Sequence, residues 1–292
     1  TGARRLLLVT DPSLLELGLV EPMRQALAAE GVHVDVFSDI APDPDYAMVE
    51  AGIERLRTSG AQAVLAVGGG SPLDCAKVIN LSHANGCHPS KLTGLWLFAL
   101  PRKRGLPFYA VPTTAGSGSE VTMAAVVSDH AAQSKRTIVD PKTLPDMVAL
   151  DPSLTVGLPP SITAPTGMDA LTHAVEAYLS TMANAQTDAW ALAATTLIAR
   201  ALPKAYADGR DLRAREDMLV GSTLAGMAFT RAGVGYVHAL SHQIGAIYHL
   251  PHGLVNSIVM PRVLSYYRPE CAPRMAALAR AAGLATSGQS DA

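Results

Sequence analysis

Cysteine is scarce in this chain: three residues in 292 (Cys75, Cys87, Cys271), scattered and with no CxxC pair. That excludes a disulfide scaffold and a thiolate-ligated structural zinc site. Charge is scarce too, since Asp, Glu, Lys and Arg make up 16% of the residues against 49% hydrophobic. Long solvated disorder is therefore excluded. Neither sign dominates, with 23 Lys and Arg against 25 Asp and Glu and a formal net charge of −2. Such a balance gives no electrostatic reason to expect nucleic acid or an anionic membrane as a partner. The one basic cluster, Arg102-Lys103-Arg104, reads as a solvated loop. No apolar run approaches the length of a membrane span, and the most apolar stretch, residues 95–100, stops at Pro101. Leu6-Leu7-Leu8-Val9 is too short for a signal-peptide core and is soon closed by Asp11. The reading is a soluble, cytoplasmic protein. The chain opens at Thr1-Gly2-Ala3 with no initiator Met, which leaves room for a lost leader.

What is present is an alternation. Residues 5–10, 32–37, 63–67 and 108–111 read as strands, and residues 23–30, 46–58 and 73–80 read as helices between them. That rhythm predicts a parallel sheet with helices on both faces. Past Asp151 it stops, Pro159-Pro160 and Pro165 punctuate a loop, and Ala/Leu-rich segments follow at 168–179, 187–206, 212–229 and 237–248. The expectation is an α/β domain over residues 1–153 and an all-helical domain over 154–292.

Two glycine-rich loops follow predicted strands. Gly68-Gly69-Gly70-Ser71-Pro72 leads into a helix, with Ser71 expected as N-cap, Pro72 at the first helical position and Asp74 completing a capping-box arrangement. Bare glycines let an anion approach the backbone N–H groups and the positive end of the helix dipole, although the same turn also occurs without any ligand. It is neither a Walker A loop nor GxGxxG. The second loop, Thr113-Thr114-Ala115-Gly116-Ser117-Gly118-Ser119-Glu120, carries four hydroxyls beyond another strand. Alone it reads as a solvent loop. Both loops at the carboxyl edge of one parallel sheet point to a nucleotide-sized ligand.

Histidines carry the sharper signal. Four of the nine fall at His238, His242, His249 and His252, and the first two are spaced to share a helix face. Upstream, Asp169 and His173 share the same i,i+4 spacing. One such pair is usually an ordinary polar pair. Two on apolar helices, where buried polar groups need partners, point to a nitrogen and oxygen site for a divalent metal such as iron, zinc or manganese.

At these residues the chain resembles the iron-containing (group III) alcohol dehydrogenases, in the superfamily that also holds glycerol dehydrogenase and dehydroquinate synthase. The matching stretches are Val9-Thr10-Asp11, the glycine loop through Asp74, Pro112 through Glu120, Thr166 through Glu176, His238-Ala239-Leu240-Ser241-His242 and Pro251-His252-Gly253. They span essentially the whole chain. The resemblance implies an N-terminal α/β dinucleotide-binding domain and a C-terminal helical metal-binding domain. It implies Asp169, His173, His238 and His252 as metal ligands, with His242 beside them as a proton relay and His249 outside the set. Gly69, Gly70 and Ser71 would hold the pyrophosphate, Thr113, Thr114 and Ser117 the nicotinamide side, and Val126, Lys135 and Asp11 further parts of the cofactor. Phe229 and Val234 would face the substrate. Asp43 stands where relatives commonly carry Asn, and Pro165 where they carry Ala, so the metal helix is expected to start no earlier than Pro165. Relatives begin before Thr1 and continue past Ala292, so the chain reads as a fragment.

The implied activity is hydride transfer between an alcohol and NAD, in preference to NADP, at Fe(II) or alternatively Zn(II), in a homodimer or higher homo-oligomer. Its alternatives are zinc-dependent glycerol dehydrogenation or phosphate elimination on the same scaffold, and a non-catalytic cofactor-binding fragment. A small alcohol or aldehyde is the expected partner, with no nucleic acid and no membrane.

Overall fold

The computed structural model describes residues 2–94, 101–130, 132, 134–248 and 250–284, so residues 95–100 and His249 lie outside the described residues. The chain divides into two units, Thr1–Thr113 with Ser119–Ala149, and Thr114–Gly118 with Leu150–Ala292.

In the first unit the elements run β1 (Arg5–Val9), α1 (Pro12–Glu16), α2 (Glu21–Ala29), β2 (His33–Phe37), α3 (Tyr46–Ser59), β3 (Ala63–Gly68), α4 (Gly70–Asn85), β4 (Phe108–Pro112), β5 (Ala124–Asp129), β6 (Ser134–Val139) and β7 (Met147–Val148). β1, β2, β3, β4 and β7 form a parallel sheet in the order β2-β1-β3-β4-β7. All six residues of β3 are buried, the mark of a strand covered on both faces. Leu7, Val9, Val64, Ala66, Phe108 and Ala110 share one core with Leu73, Val78 and Ile79 of α4. β5 and β6 form a separate antiparallel hairpin. Periodicity missed it because Ala124-Ala125-Val126-Val127 is uniformly apolar, although only Ala125 and Val127 are buried.

Three sequence expectations need correction here. The capping box at Ser71 does not form: Gly69 is the N-cap of α4, and Asp74 instead accepts hydrogen bonds from Ser119 Oγ and Val126 N–H. A half-buried carboxylate with partners beyond its own helix is held by those instead. Nor is Arg102 solvated. Its guanidinium lies 3.3 Å from Asp140, a carboxylate with no solvent exposure that needs a cation beside it. Arg104, in contrast, makes an exposed pair with Asp146 at 2.6 Å.

The third correction concerns the second unit, which holds α5 (Pro160–Leu179), α6 (Ala185–Ala207), α7 (Leu212–Ala232), α8 (Tyr236–Tyr248) and α9 (His252–Ala281). α5 starts at Pro160 and carries Pro165 inside. Pro160 suits a first helical position. The hydrogen bond that Pro165 removes would have gone to the carbonyl of Ser161, an exposed residue whose carbonyl can turn to water. The core of α5, α6 and α7 is built from alanines, among them Ala170, Ala174, Ala194, Ala201 and Ala225, so these helices approach closely. Ala115 belongs to that same core. It arrives in the Thr114–Gly118 segment, where a Cβ on Gly118 would lie 2.7 Å from Gly226 Cα of α7. Among the described residues no helix is long and apolar enough to cross a membrane.

Candidate metal centre

Asp169, His173 and Glu176 recur at i, i+4 and i+7 along α5, so one stripe of that helix carries all three into the interior. α8 contributes His238 and His242. α9 begins at His252, and a Cβ on the next residue, Gly253, would stand 1.9 Å from the carbonyl oxygen of Pro165. Only glycine lets α9 start that close to α5, and the close start brings His252 to Asp169.

Three imidazoles meet one carboxylate oxygen. From Asp169 Oδ1 the Nε2 atoms of His238, His252 and His173 lie at 3.4, 3.5 and 3.8 Å. These separations exceed a hydrogen bond, for which N···O is about 2.7–3.2 Å. Those of His238 and His252 match the edge of a tetrahedron of ligands at 2.0–2.2 Å from a metal, about 3.3–3.6 Å, and that of His173 is slightly longer. Asp169, His238 and His252 offer donor atoms that all lie within 4.8 Å of one another, and His173 adjoins this trio without belonging to it. His173 stacks on His238 with ring centroids 4.5 Å apart. Its Nδ1 is buried with no hydrogen-bond partner among the described residues, as is Asn256 Oδ1. A set of imidazole nitrogens and one carboxylate, with polar atoms left over, suits a divalent cation of the iron or zinc kind.

Electrostatics agree with that donor chemistry. Burial disfavours a charged His173 and holds its imidazole down at about 3, so it is a neutral base at any working pH. Burial opposes charge on His238 too, but Asp169 and Glu176 outweigh it and lift that imidazole to about 9. Burial would push the Asp169 carboxyl up, yet the three imidazoles keep it far below the usual carboxylate range. A cation held here would take the place of the His238 proton.

His242 lies half-buried at the rim, its ring centroid 6.0 Å from that of His238 and 4.9 Å from that of His252. Phe229 stacks on the other face of the group, 4.1 Å from the His173 ring. Val234 is 44% exposed in the segment joining α7 to α8.

The expected cofactor residues fall on both units. In the first, Asp11, Gly68-Gly69-Gly70-Ser71 and Thr113 follow β1, β3 and β4, which are neighbours in the sheet, so their carboxyl ends carry all three. Thr113 N–H donates to Gly68 O at 2.9 Å. α4 starts without a side-chain cap, as do α2, α5 and α9. Backbone N–H groups at the glycine-rich start of such a helix suit an anion, and a pyrophosphate fits that chemistry. Asp11 itself accepts from Leu14 N at 3.1 Å, so its capping role is real. Val126 N–H is taken by Asp74, and Lys135 pairs with Asp43 at 2.6 Å. Asp43 has φ +57°, a region that Asn and Asp tolerate. Thr114 and Ser117 belong with the second unit.

Two participants had no assigned role from sequence. Asn256 donates to Asp169 Oδ1 at 2.7 Å from one turn beyond His252. Glu176 Oε2 lies 2.5 Å from His238 Nδ1. Their signal was the spacing itself, His252 to Asn256 at i,i+4 and the Asp169, His173, Glu176 stripe.

The chain is similar to known proteins. Residues 1–152 match the family model described as iron-containing alcohol dehydrogenase, and residues 163–292 match the C-terminal model of the Fe-containing alcohol dehydrogenase family. The chain is 42% identical to alcohol dehydrogenase 4 of Saccharomyces cerevisiae over 260 residues, 89% of this chain and 67% of that protein. It is 40% identical to the NAD-dependent methanol dehydrogenase of Bacillus methanolicus over 291 residues, 100% of this chain and 76% of that protein. A crystal structure of 1,3-propanediol oxidoreductase superposes with a TM-score of 0.94 at 40% identity, covering 99% of this chain and 75% of the other. With its α/β first unit, its helical second unit and a buried cluster of donor atoms, the chain belongs to the iron-containing alcohol dehydrogenase family, oxidoreductases acting on CH–OH groups.

Proposed function

We propose that this chain interconverts a small alcohol and its aldehyde with NAD, using a divalent metal held by Asp169, His173, His238 and His252. The observation that carries the reading is the convergence of three imidazole Nε2 atoms on one buried carboxylate oxygen. When bound, the metal supplies a Lewis acid for the substrate oxygen, and the dinucleotide supplies the hydride acceptor or donor.

The chain's own residues do the rest. Gly69, Gly70 and Ser71 grip the pyrophosphate through backbone N–H groups at the start of α4. Asp11 accepts from the adenosine ribose. Thr113, Thr114 and Ser117 orient the nicotinamide, with Val126 and Lys135 completing the cofactor contacts. Phe229, packed on His173, and Val234 give the substrate an apolar wall that excludes water. His242 holds the proton that the alcohol gives up and passes it to solvent through its imidazole. Iron is the preferred metal and zinc the alternative. The free cysteines are consistent with a reducing cytoplasm, and the active form is a homodimer or higher homo-oligomer.

Metal analysis after anaerobic loading with Fe(II), coupled to an alcohol and aldehyde panel with NAD, tests the reading. One metal per chain with NAD-linked turnover is expected. Cofactor binding without turnover in the fully loaded protein would sink it.

A further inference from the structure

Glu176 is 3% exposed, and both of its oxygens are engaged. Oε1 accepts the backbone N–H of Val237 at 2.7 Å, in the first turn of α8. Oε2 meets His238 Nδ1 at 2.5 Å. A carboxylate offers only acceptors, so at that contact the ring must donate from Nδ1. The opposite nitrogen, Nε2, then faces Asp169, His252 and the amide of Asn256. The Val237 contact anchors the glutamate beside the ring, because one side chain then spans the start of α8 and a residue that α8 carries.

We infer that Glu176 is a positioning residue for the metal: it fixes the proton of His238 on Nδ1 and the ring's rotation, so that Nε2 presents its lone pair to the cation. The inference rests on the metal site proposed above and deepens it. Outer partners of this kind set the tautomer and basicity of a ligating imidazole, and losing one weakens metal binding by about 10- to 100-fold. A purely structural account, in which Glu176 only caps α8 and fills a buried position, makes a different prediction. Glu176→Gln keeps the shape and can keep the Val237 contact through its carbonyl oxygen. Its amide group would then point a donor at Nδ1, which must accept and shift its proton to Nε2.

The experiment measures Zn(II) affinity of the whole chain by competition with a chelator, beside histidine ¹⁵N NMR of the Zn(II)-loaded protein. In the wild type, His238 should show a protonated Nδ1 and a metal-bound Nε2. Glu176→Gln should unfold at a similar temperature but bind Zn(II) about 10- to 100-fold more weakly, with its His238 signals displaced. Glu176→Asp, which keeps the acceptor, should recover part of the affinity. Equal affinity in wild type and Glu176→Gln would overturn the inference while leaving the metal site standing. Should Glu176→Gln not fold, the wild-type spectrum decides alone: a Zn(II)-loaded protein with the His238 proton on Nε2 overturns it. A wild type that takes up no Zn(II) or Fe(II) at all refutes the metal site itself.

Discussion

Each unit carries a buried group of charges on one helix face, and the two groups are finished differently. In the first unit Asp74 and Lys77 sit at i,i+3 on α4. Lys77 Nζ donates to Thr122 O, Thr122 Oγ1 and Ala124 O at 2.9, 3.1 and 2.8 Å, which uses its three hydrogens. Asp74 accepts from Ser119 and Val126. In the second unit Asp169 and His173 sit at i,i+4 on α5, and three imidazole Nε2 atoms stand 3.4–3.8 Å from Asp169 Oδ1, beside the 2.7 Å hydrogen bond from Asn256, with His173 Nδ1 and Asn256 Oδ1 lacking a hydrogen-bond partner among the described residues. A closed set of hydrogen bonds fastens the β5–β6 hairpin to α4. An open set of convergent donors is built for something else to complete. Several potential ligand atoms converging at distances too long for hydrogen bonds, more than charge or burial, separate the second group from the first.

The largest effect is expected at the open group. His252→Ala should abolish both metal retention and turnover while leaving the fold intact, as read by metal analysis and thermal unfolding of one preparation. Stoichiometric metal in an active variant would remove His252 from the ligand set.

At the closed group the outcome should be reversed. Lys77→Met removes the Lys77 hydrogen bonds to the Thr122 and Ala124 carbonyls and leaves Asp74 without its cation, so stability should fall by about 3–5 kcal/mol. Urea unfolding would measure it, and metal affinity of the folded fraction should not change. Burial also lowers the Lys77 ammonium from its usual range to about 8. Between that value and 10.5 the unfolded chain binds more protons than the folded one, so the penalty for the buried charge fades as pH rises. The wild type's urea midpoint should therefore gain on that of Lys77→Met between pH 8 and pH 10.

His242→Ala sharpens the contrast within the second unit. It should retain metal and lose about 100-fold in rate, with an altered pH profile, because a relay rather than a ligand is gone. Metal loss as complete as in the His252 variant would reverse the two roles. The smallest effect is expected at Asp11. With NAD preferred, Asp11→Gly should raise catalytic efficiency with NADP relative to NAD by about tenfold, since one like-charge contact with a 2′-phosphate is relieved. An unchanged ratio in a folded variant would leave Asp11 as the cap of α1 alone.

Much of this was legible in residue order. The β3 strand announced itself because all of it is buried and apolar, and the histidine spacings on α5 and α8 survive any detail of packing. What escaped depends on contacts distant in sequence. Nothing near Asp74 shows that its carboxylate turns away from its own helix toward Ser119 and Val126. Arg102 reads as solvated until Asp140, far along the chain, proves to be buried. Pro165 marks a helix start by local rule, and only the exposed carbonyl one turn back lets it sit inside α5. Glu176 was visible as the third member of a stripe, but its task depends on the turn that brings His238 opposite it.

The segment Thr114–Gly118 has a consequence for how such a molecule could be taken apart. The chain leaves the first unit after Thr113, supplies Ala115 to the alanine core of the second, and returns at Ser119 before crossing for good after Ala149. A cut at residue 150 does not yield two complete modules. It strands five residues of the second unit's interior on the wrong fragment, and the helical half made alone would begin life with a hole where Ala115 belongs. Homologous halves can be exchanged cleanly only if that pentapeptide and the alanines it meets on the helices travel as one inherited block.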